Sequence, residues 1–289
     1  MKVVFYANTN GRGRRICEAV VQGCARHGLR AGVTPVQHYH RPEADVAVFY
    51  GLWPPLKQIQ ADYVAAGRKS VLIDLGYWNR TEGGKLEGYH RIAVNGLHAT
   101  AYFQHRRHDA SRFRRLGVEV RPMRSSHEPR ATSHVLLCGM SAKSAWVYDL
   151  EPQQWECAAV EELRRHTARE IHYRPKQSWQ QARPIEDTTW AKDNGLLGPG
   201  QLSGCWAVVT HHGNSALDAL VNGVPAFATA GLASVLAGRD LAAIESPLYP
   251  SDQQRDQLLF DAAWTQWKMG EIADGSAWQY LMDERLIQD

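Results

Sequence analysis

Short apolar runs, each followed by turn residues and then by a helically spaced segment, constrain this fold more than any other feature of the sequence. The first run is Lys2-Val-Val-Phe-Tyr-Ala-Asn8; Asn10-Gly-Arg-Gly13 follows it, and Ile16, Ala19, Val20 and Cys24 then fall at helical intervals. Residues 44–51 and 70–76 read as further strands, with a crossover helix between them from Pro55 to Ala66. Strands that are apolar throughout instead of alternating are covered on both faces, so an α/β fold with parallel sheets is expected.

The pattern recurs after residue 131. Residues 134–138 and 170–173 read as strands around a helix over 152–166, and 206–210 reads as a strand that leads through His211-His-Gly-Asn214 into a helix over 215–222. Residues 225–229 form the next expected strand. From Ser251 the reading is helical, with Trp264, Trp267, Trp278 and Tyr280 as packing anchors. A chain of 289 residues suits two domains. The expected division is an N-terminal Rossmann-like domain over 1–130 and a C-terminal one over 131–289, closed by helices.

Cys17, Cys24, Cys138, Cys157 and Cys205 are scattered without a C-x-x-C pair, which argues against a disulfide framework and a structural zinc site. No apolar run reaches the roughly 20 residues that span a bilayer. A soluble protein in a reducing cytoplasm is expected, with no membrane partner and a monomeric or homodimeric state.

Charge is unevenly spread along the sequence. Residues 1–130 carry 21 Lys and Arg against 10 Asp and Glu, whereas residues 131–289 carry 12 against 20. Such asymmetry points to a polyanionic partner for the first part. Between Arg106 and Arg130 there are eight arginines, with Tyr102 and Phe103 just before them and Phe113 among them, a mixture suited to phosphate contacts and base stacking.

Ligands of open parallel sheets bind at the carboxyl ends of strands, where a following helix turns free N–H groups toward an anion. Thr210 to Ser215 is the best such place: Gly213 permits close backbone approach, and Asn214 or Ser215 can cap the helix or bond a phosphate or ribose. Arg174 and Lys176, at the end of the preceding strand, can clamp a diphosphate. The sequence has no D-x-D motif, and adjacent His211 and His212 would point to opposite faces of a regular strand, so no metal is expected. Asn10-Gly-Arg-Gly13 lacks the third glycine of a dinucleotide fingerprint because position 16 is Ile, which rules against NAD.

These segments resemble GT-B glycosyltransferases. Thr210-His-His-Gly-Asn-Ser-Ala-Leu-Asp-Ala-Leu220 with Gly223-Val-Pro225 looks like their donor-binding element, and Arg174-Pro-Lys176 is similar to the phosphate loop of bacterial capsule and Kdo transferases, without its His-Pro. The resemblance implies two facing Rossmann-like domains. It assigns the donor to Arg174, Lys176, His212, Gly213, Asn214, Ser215 and Asp218. It also implies that Gly11 and Arg12 line the cleft after the first strand. Asp74, ending its strand, is the expected general base of an inverting transfer, and His98 is the reserve.

A basic N-terminal half beside a donor domain resembles phage glucosyltransferases that modify hydroxymethylated bases in DNA. That resemblance implies an acceptor surface of Gly11, Arg12, Arg80, Tyr102, Arg106, Arg107, Arg112, Arg114 and Arg115. The expected function is therefore metal-independent, cofactor-free transfer of a sugar from a nucleotide-sugar, a UDP-sugar by preference. Its expected acceptor is a hydroxymethylated pyrimidine in double-stranded phage DNA, in the host cytoplasm. The alternatives are glycosylation of a surface polysaccharide or lipid-linked glycan, non-catalytic binding of nucleic acid or nucleotide, and a nucleotide-sugar epimerase of the same layout, which would consume the donor without an acceptor.

Overall fold

A computed structural model describes residues 1–7, 11–81, 87–100, 106–124, 133–191 and 197–288. The chain forms two compact units, Met1–Arg106 with Asp261–Asp289, and Arg107–Phe260.

The first unit is built on a six-stranded sheet. Its strands are β1 (Lys2–Ala7), β2 (Arg30–Pro35), β3 (Val46–Tyr50), β4 (Lys69–Leu75), β5 (Tyr89–Val94) and β11 (Gln266–Lys268), in the order β11-β5-β4-β3-β1-β2. The first four run parallel, while β5 is antiparallel to β4 and β11 is antiparallel to β5. This sheet is thus mixed, where parallel strands throughout were expected. Helix α1 (Gly11–Arg26) begins at Gly11, so Gly11 to Gly13 form its first turn instead of a separate glycine turn. Helix α2 (Pro54–Ala65) starts with prolines in its first turn, where no intrahelical donor is needed, and buries Leu56, Ile59 and Tyr63.

The second unit carries a five-stranded, wholly parallel sheet of β6 (His134–Cys138), β7 (Ile171–Arg174), β8 (Thr189–Trp190), β9 (Cys205–Thr210) and β10 (Ala226–Ala228), ordered β10-β9-β6-β7-β8. Its helices are α3 (Ser111–Arg115), α4 (Ala142–Val147), α5 (Gln154–His166), α6 (Pro199–Leu202) and α7 (Ser215–Val221). Helix α5 buries Ala159, Val160 and Leu163 against the sheet residues Val135, Leu137, Ile171 and Val209.

The boundary differs from the expected division at residue 130. Helix α8 (Asp252–Ala263) carries the chain back to the first unit, where β11 pairs with β5. There α9 (Met269–Ala273) and α10 (Ser276–Asp283) bury Ile272, Trp278 and Leu281 in one core with Ile16 and Val20 of α1. Trp267 and Tyr280 are buried in that core and Trp264 packs against it, so the aromatic anchors act as expected but on the other sheet. Gly23 makes the crossing possible, because a Cβ there would lie 1.9 Å from the Ile272 carbonyl oxygen and 2.7 Å from the Trp278 ring. The apolar stripe of residues 264–281 says only that it must be buried; which sheet offers the complementary surface is a tertiary matter.

The boundary also removes the charge contrast. The first unit holds 16 Lys and Arg against 13 Asp and Glu, and the second holds 17 against 17. The acidic C-terminal segment joins the basic N-terminal one, and most of the arginine strip belongs to the second unit.

Candidate functional site

Parallel register brings the second unit's expected donor residues to one edge. Cys138, the last residue of β6, lies opposite Arg174 of β7 on one side and Thr210 of β9 on the other, and Thr210 lies opposite Ala228. The loops that follow these strands therefore emerge side by side. Cys138 is the hub: burial pushes its thiol up to about 11, while Ser215 hydrogen-bonds it and Arg174, Asp218 and Lys176 act on it through their charges. Of the seven expected donor residues, four thus act on a single buried thiol, one of the five scattered cysteines.

The remaining three lie in the turn before α7. The Gly213 N–H donates to Thr210 Oγ1 at 3.2 Å, and a Cβ on Gly213 would lie 2.8 Å from Thr210 Oγ1 and 3.0 Å from Ser215 Oγ, so a larger residue there would have to push the hydroxyls aside. Asn214 occupies the N-cap position in a helical conformation and makes no side-chain cap bond. Helix α7 has only 7 residues. The positive charge at this edge is that of Arg174 and Lys176 more than the partial charge of so short a helix.

His211 and His212 also depart from expectation. They follow the last residue of β9, so strand alternation no longer separates them, and their Nδ1 atoms stand 3.1 Å apart. Tyr148, at the end of α4, packs against both rings, with centroids 4.4 Å and 4.7 Å away, and Trp155 of α5 meets His211 at 5.5 Å. His211 is 6% exposed, and burial pulls its pKa down. Next to Trp155 on α5, fully buried Glu156 accepts a 2.7 Å bond from the Met140 N–H and so fixes the loop after β6. Burial raises its carboxyl pKa. Among the described residues no three His, Cys, Asp or Glu side chains converge as metal ligands.

The first unit has its own cluster at the carboxyl edge of β3 and β4. Arg91 Nη2 donates to Asp74 Oδ2 at 3.2 Å, and Arg91 Nη1 contacts His98 Nδ1 at 3.0 Å. The two expected catalytic residues are therefore joined through an arginine that sequence reasoning missed, because it lies on a strand whose opening Tyr89-His-Arg91 breaks the apolar pattern. A guanidinium only donates, so His98 Nδ1 is the acceptor and the ring proton sits on Nε2. His98 is thus set as a donor at Nε2, not as a base. Asp74 Oδ1 accepts from the Leu75 N–H at 2.8 Å, and the Arg91 guanidinium lies 5.9 Å from the centre of the Tyr77 ring. Arg12 donates to the Tyr50 hydroxyl at 3.2 Å, and the Tyr50 ring meets buried His90 edge-on at 6.3 Å.

The expected acceptor residues are divided between the two units. Gly11 and Arg12 begin α1, and Arg80 lies in the turn after β4. Arg106 is held by the side chain and carbonyl of Glu284, both at 2.6 Å. Arg107 is exposed, and Arg112, Arg114 and Arg115 belong to α3 in the second unit, where Phe113 is buried against Phe260 at 5.8 Å instead of standing free to stack on a base. Tyr102 lies outside the described residues.

No family model matches the chain, and no curated protein does. Among solved structures, the beta Kdo 2,4 transferase of Thermosulfurimonas dismutans KpsC is similar over 93% of this chain and 92% of its own, at 12% identity and a TM-score of 0.52. The KpsC beta Kdo 2,7 transferase from the same organism is similar over 96% of this chain and 99% of its own, at 10% identity and a TM-score of 0.52. At such identities the likeness is one of fold. The fold is that of GT-B glycosyltransferases, two Rossmann-like α/β domains. No helix among the described residues is long and apolar enough to cross a membrane.

Proposed function

We propose that the protein is a metal-independent glycosyltransferase that moves a sugar from a nucleotide-sugar to a hydroxyl acceptor. The observation that carries this reading is the gathering of Arg174, Lys176, Ser215 and Asp218 around Cys138 at the carboxyl edge of the second sheet. In this reading Arg174 and Lys176 hold the diphosphate of a UDP-sugar, His212, Gly213 and Asn214 line its approach, and Ser215 and Asp218 bond its polar groups. Asp74 takes the proton of the acceptor hydroxyl as that oxygen attacks the anomeric carbon. The bond to the nucleotide breaks with its electron pair going to the phosphate, whose growing charge the two cations stabilise. His98 offers its Nε2–H to the acceptor.

For the acceptor, a carbohydrate fits better than DNA. The contrast in charge that favoured hydroxymethylated DNA vanishes at the observed boundary, and Arg106 is engaged by Glu284. The two matched structures are named as Kdo transferases, which supports a sugar hydroxyl by analogy of fold. The DNA reading retains the exposed Arg107, Arg114 and Arg115 as its support.

Thermal-shift titration with UDP, GDP, CDP, CMP and TDP tests the donor site. A shift that Arg174→Ala abolishes is expected; no shift with any nucleotide at millimolar concentration defeats the reading. Duplex DNA carrying hydroxymethyl pyrimidine then separates the acceptors, since a stabilisation that collapses between low and moderate salt restores DNA, and its absence leaves the glycan.

A further inference from the structure

We infer that Gln153 is a positioning residue for the donor site: its amide ties together the two ends of the loop that carries Lys176, and so orders that loop before a nucleotide binds. This deepens the donor-site reading above and rests on it.

Three hydrogen bonds meet at this one side chain. Gln153 Nε2 donates to the Tyr173 hydroxyl at 3.3 Å and to the Arg183 carbonyl at 2.8 Å, and Gln153 Oε1 accepts from the Arg183 N–H at 2.9 Å. The amide thus engages both backbone groups of Arg183, as a neighbouring strand would. Tyr173 stands just before Arg174 at the end of β7, and Arg183 lies on the returning side of the loop. Residues 174–182 are therefore closed into a loop whose base is held by Gln153.

The near end of the tie is a fixed point. Tyr173 is fully buried in the second core, and its ring meets Trp190 edge-on at 5.5 Å. Inside the loop, the Trp179 N–H donates to the Lys176 carbonyl at 2.8 Å and closes a turn that starts at Lys176. Further on, Ile185 packs against the core. Among the described residues, Gln153 alone bonds the backbone between Trp179 and Ile185. Arg174 belongs to β7 and is held by the strand ladder, whereas Lys176, beyond the strand, depends on the loop.

The backbone at Gln153 is consistent with this role. Its φ of 64° lies in the left-handed region that favours glycine, and the residue stands at the N-cap of α5 without making a side-chain cap bond there. Its side-chain bonds go to Tyr173 and Arg183 instead, and they offset the strain. A loop tied at its base has lost conformational freedom before the ligand arrives, so the phosphate does not have to order it.

A double-mutant cycle on nucleotide affinity tests the tie. Whichever of UDP, GDP, CDP, CMP and TDP binds the wild-type chain most tightly is titrated by isothermal calorimetry into the wild type, Gln153→Gly, Lys176→Ala and the double variant. Glycine adopts the same φ without strain, so Gln153→Gly removes the tie and leaves the backbone path. Kd should rise about tenfold in Gln153→Gly, but less than about twofold when Lys176 is already Ala, because the tie acts through that cation. Unchanged affinity in Gln153→Gly, or the same loss in both backgrounds, overturns the positioning role and leaves the donor site standing. Should Gln153→Gly fail to fold, Gln153→Asn takes its place with the same two outcomes: asparagine tolerates the left-handed backbone and is one methylene too short to reach both partners. Failure of all five nucleotides to bind the wild-type chain overturns the donor site and the tie together.

Discussion

Arg91 reaches across the β4–β5 ladder to Asp74, its directly opposed partner, and donates from Nη2 to Oδ2 at 3.2 Å while its other terminal nitrogen meets His98. The Arg91 side chain is 15% exposed and that of Asp74 38%, so the pair is partly screened. Arg91→Lys keeps the charge and loses the planar fork that serves two partners at once. Sugar transfer should fall about a hundredfold in kcat, with a loss of stability of about 1 kcal/mol after allowance for solvent screening. Steady-state kinetics beside urea unfolding checks this; unchanged kcat would remove Asp74 and His98 from the chemistry.

Arg174→Ala should weaken UDP binding ten- to a hundredfold, the worth of about 1.5–3 kcal/mol for hydrogen bonds to a charged group. The circular dichroism spectrum should not change, because the residue ends an interior strand whose ladder bonds are made by the backbone. Equal affinity in the variant would place the phosphate elsewhere.

Acid should weaken the second unit through His134. Its ring stacks on His172 at 3.9 Å, and burial, followed by repulsion from His172, lowers its pKa to about 4. The unfolded chain protonates this ring near the ordinary value of about 6.5, so its contribution is complete above that pH and is lost as pH falls toward 4. Glu170, which bonds His172 at 3.0 Å, opposes part of the loss. His134→Phe should flatten the pH dependence of the melting temperature between pH 6.5 and 4 by the equivalent of about 1 kcal/mol. A slope identical to that of the wild type would show that other groups control acid stability.

Gly23→Ala should destabilise the first unit by about 2–4 kcal/mol, since its Cβ would meet the Ile272 backbone oxygen and the Trp278 ring with no flexible end to move aside. Ala is ordinarily the better helix former, so a stabilised variant in urea unfolding would contradict the packing of α9 and α10 on α1.

Much of this protein was legible in its sequence because local chemistry dictated it. The apolar runs at residues 2–7, 46–50, 69–75, 134–138 and 205–210 read as buried strands, and Thr210 to Ser215 with Arg174 and Lys176 marked one strand edge. Strands β2, β5, β8 and β11 escaped notice because Arg30-Ala-Gly-Val-Thr-Pro35, the opening Tyr89-His-Arg91, Thr189-Trp190 and Gln266-Trp-Lys268 carry no apolar run, and pairing makes them strands. What only the tertiary structure decided is which segments share a core and which charges share a surface. Residues 261–289 return to the first sheet because α1 offers Gly23 and an apolar face to Trp278, and that return cancels the charge contrast along the chain. Asp74, Arg91 and His98 meet, as His211 and His212 do, through strand register and a bend in the chain. Sequence order fixes the first only after pairing and does not fix the second, because hydrophobic burial is non-directional whereas side-chain geometry is set by the fold as a whole.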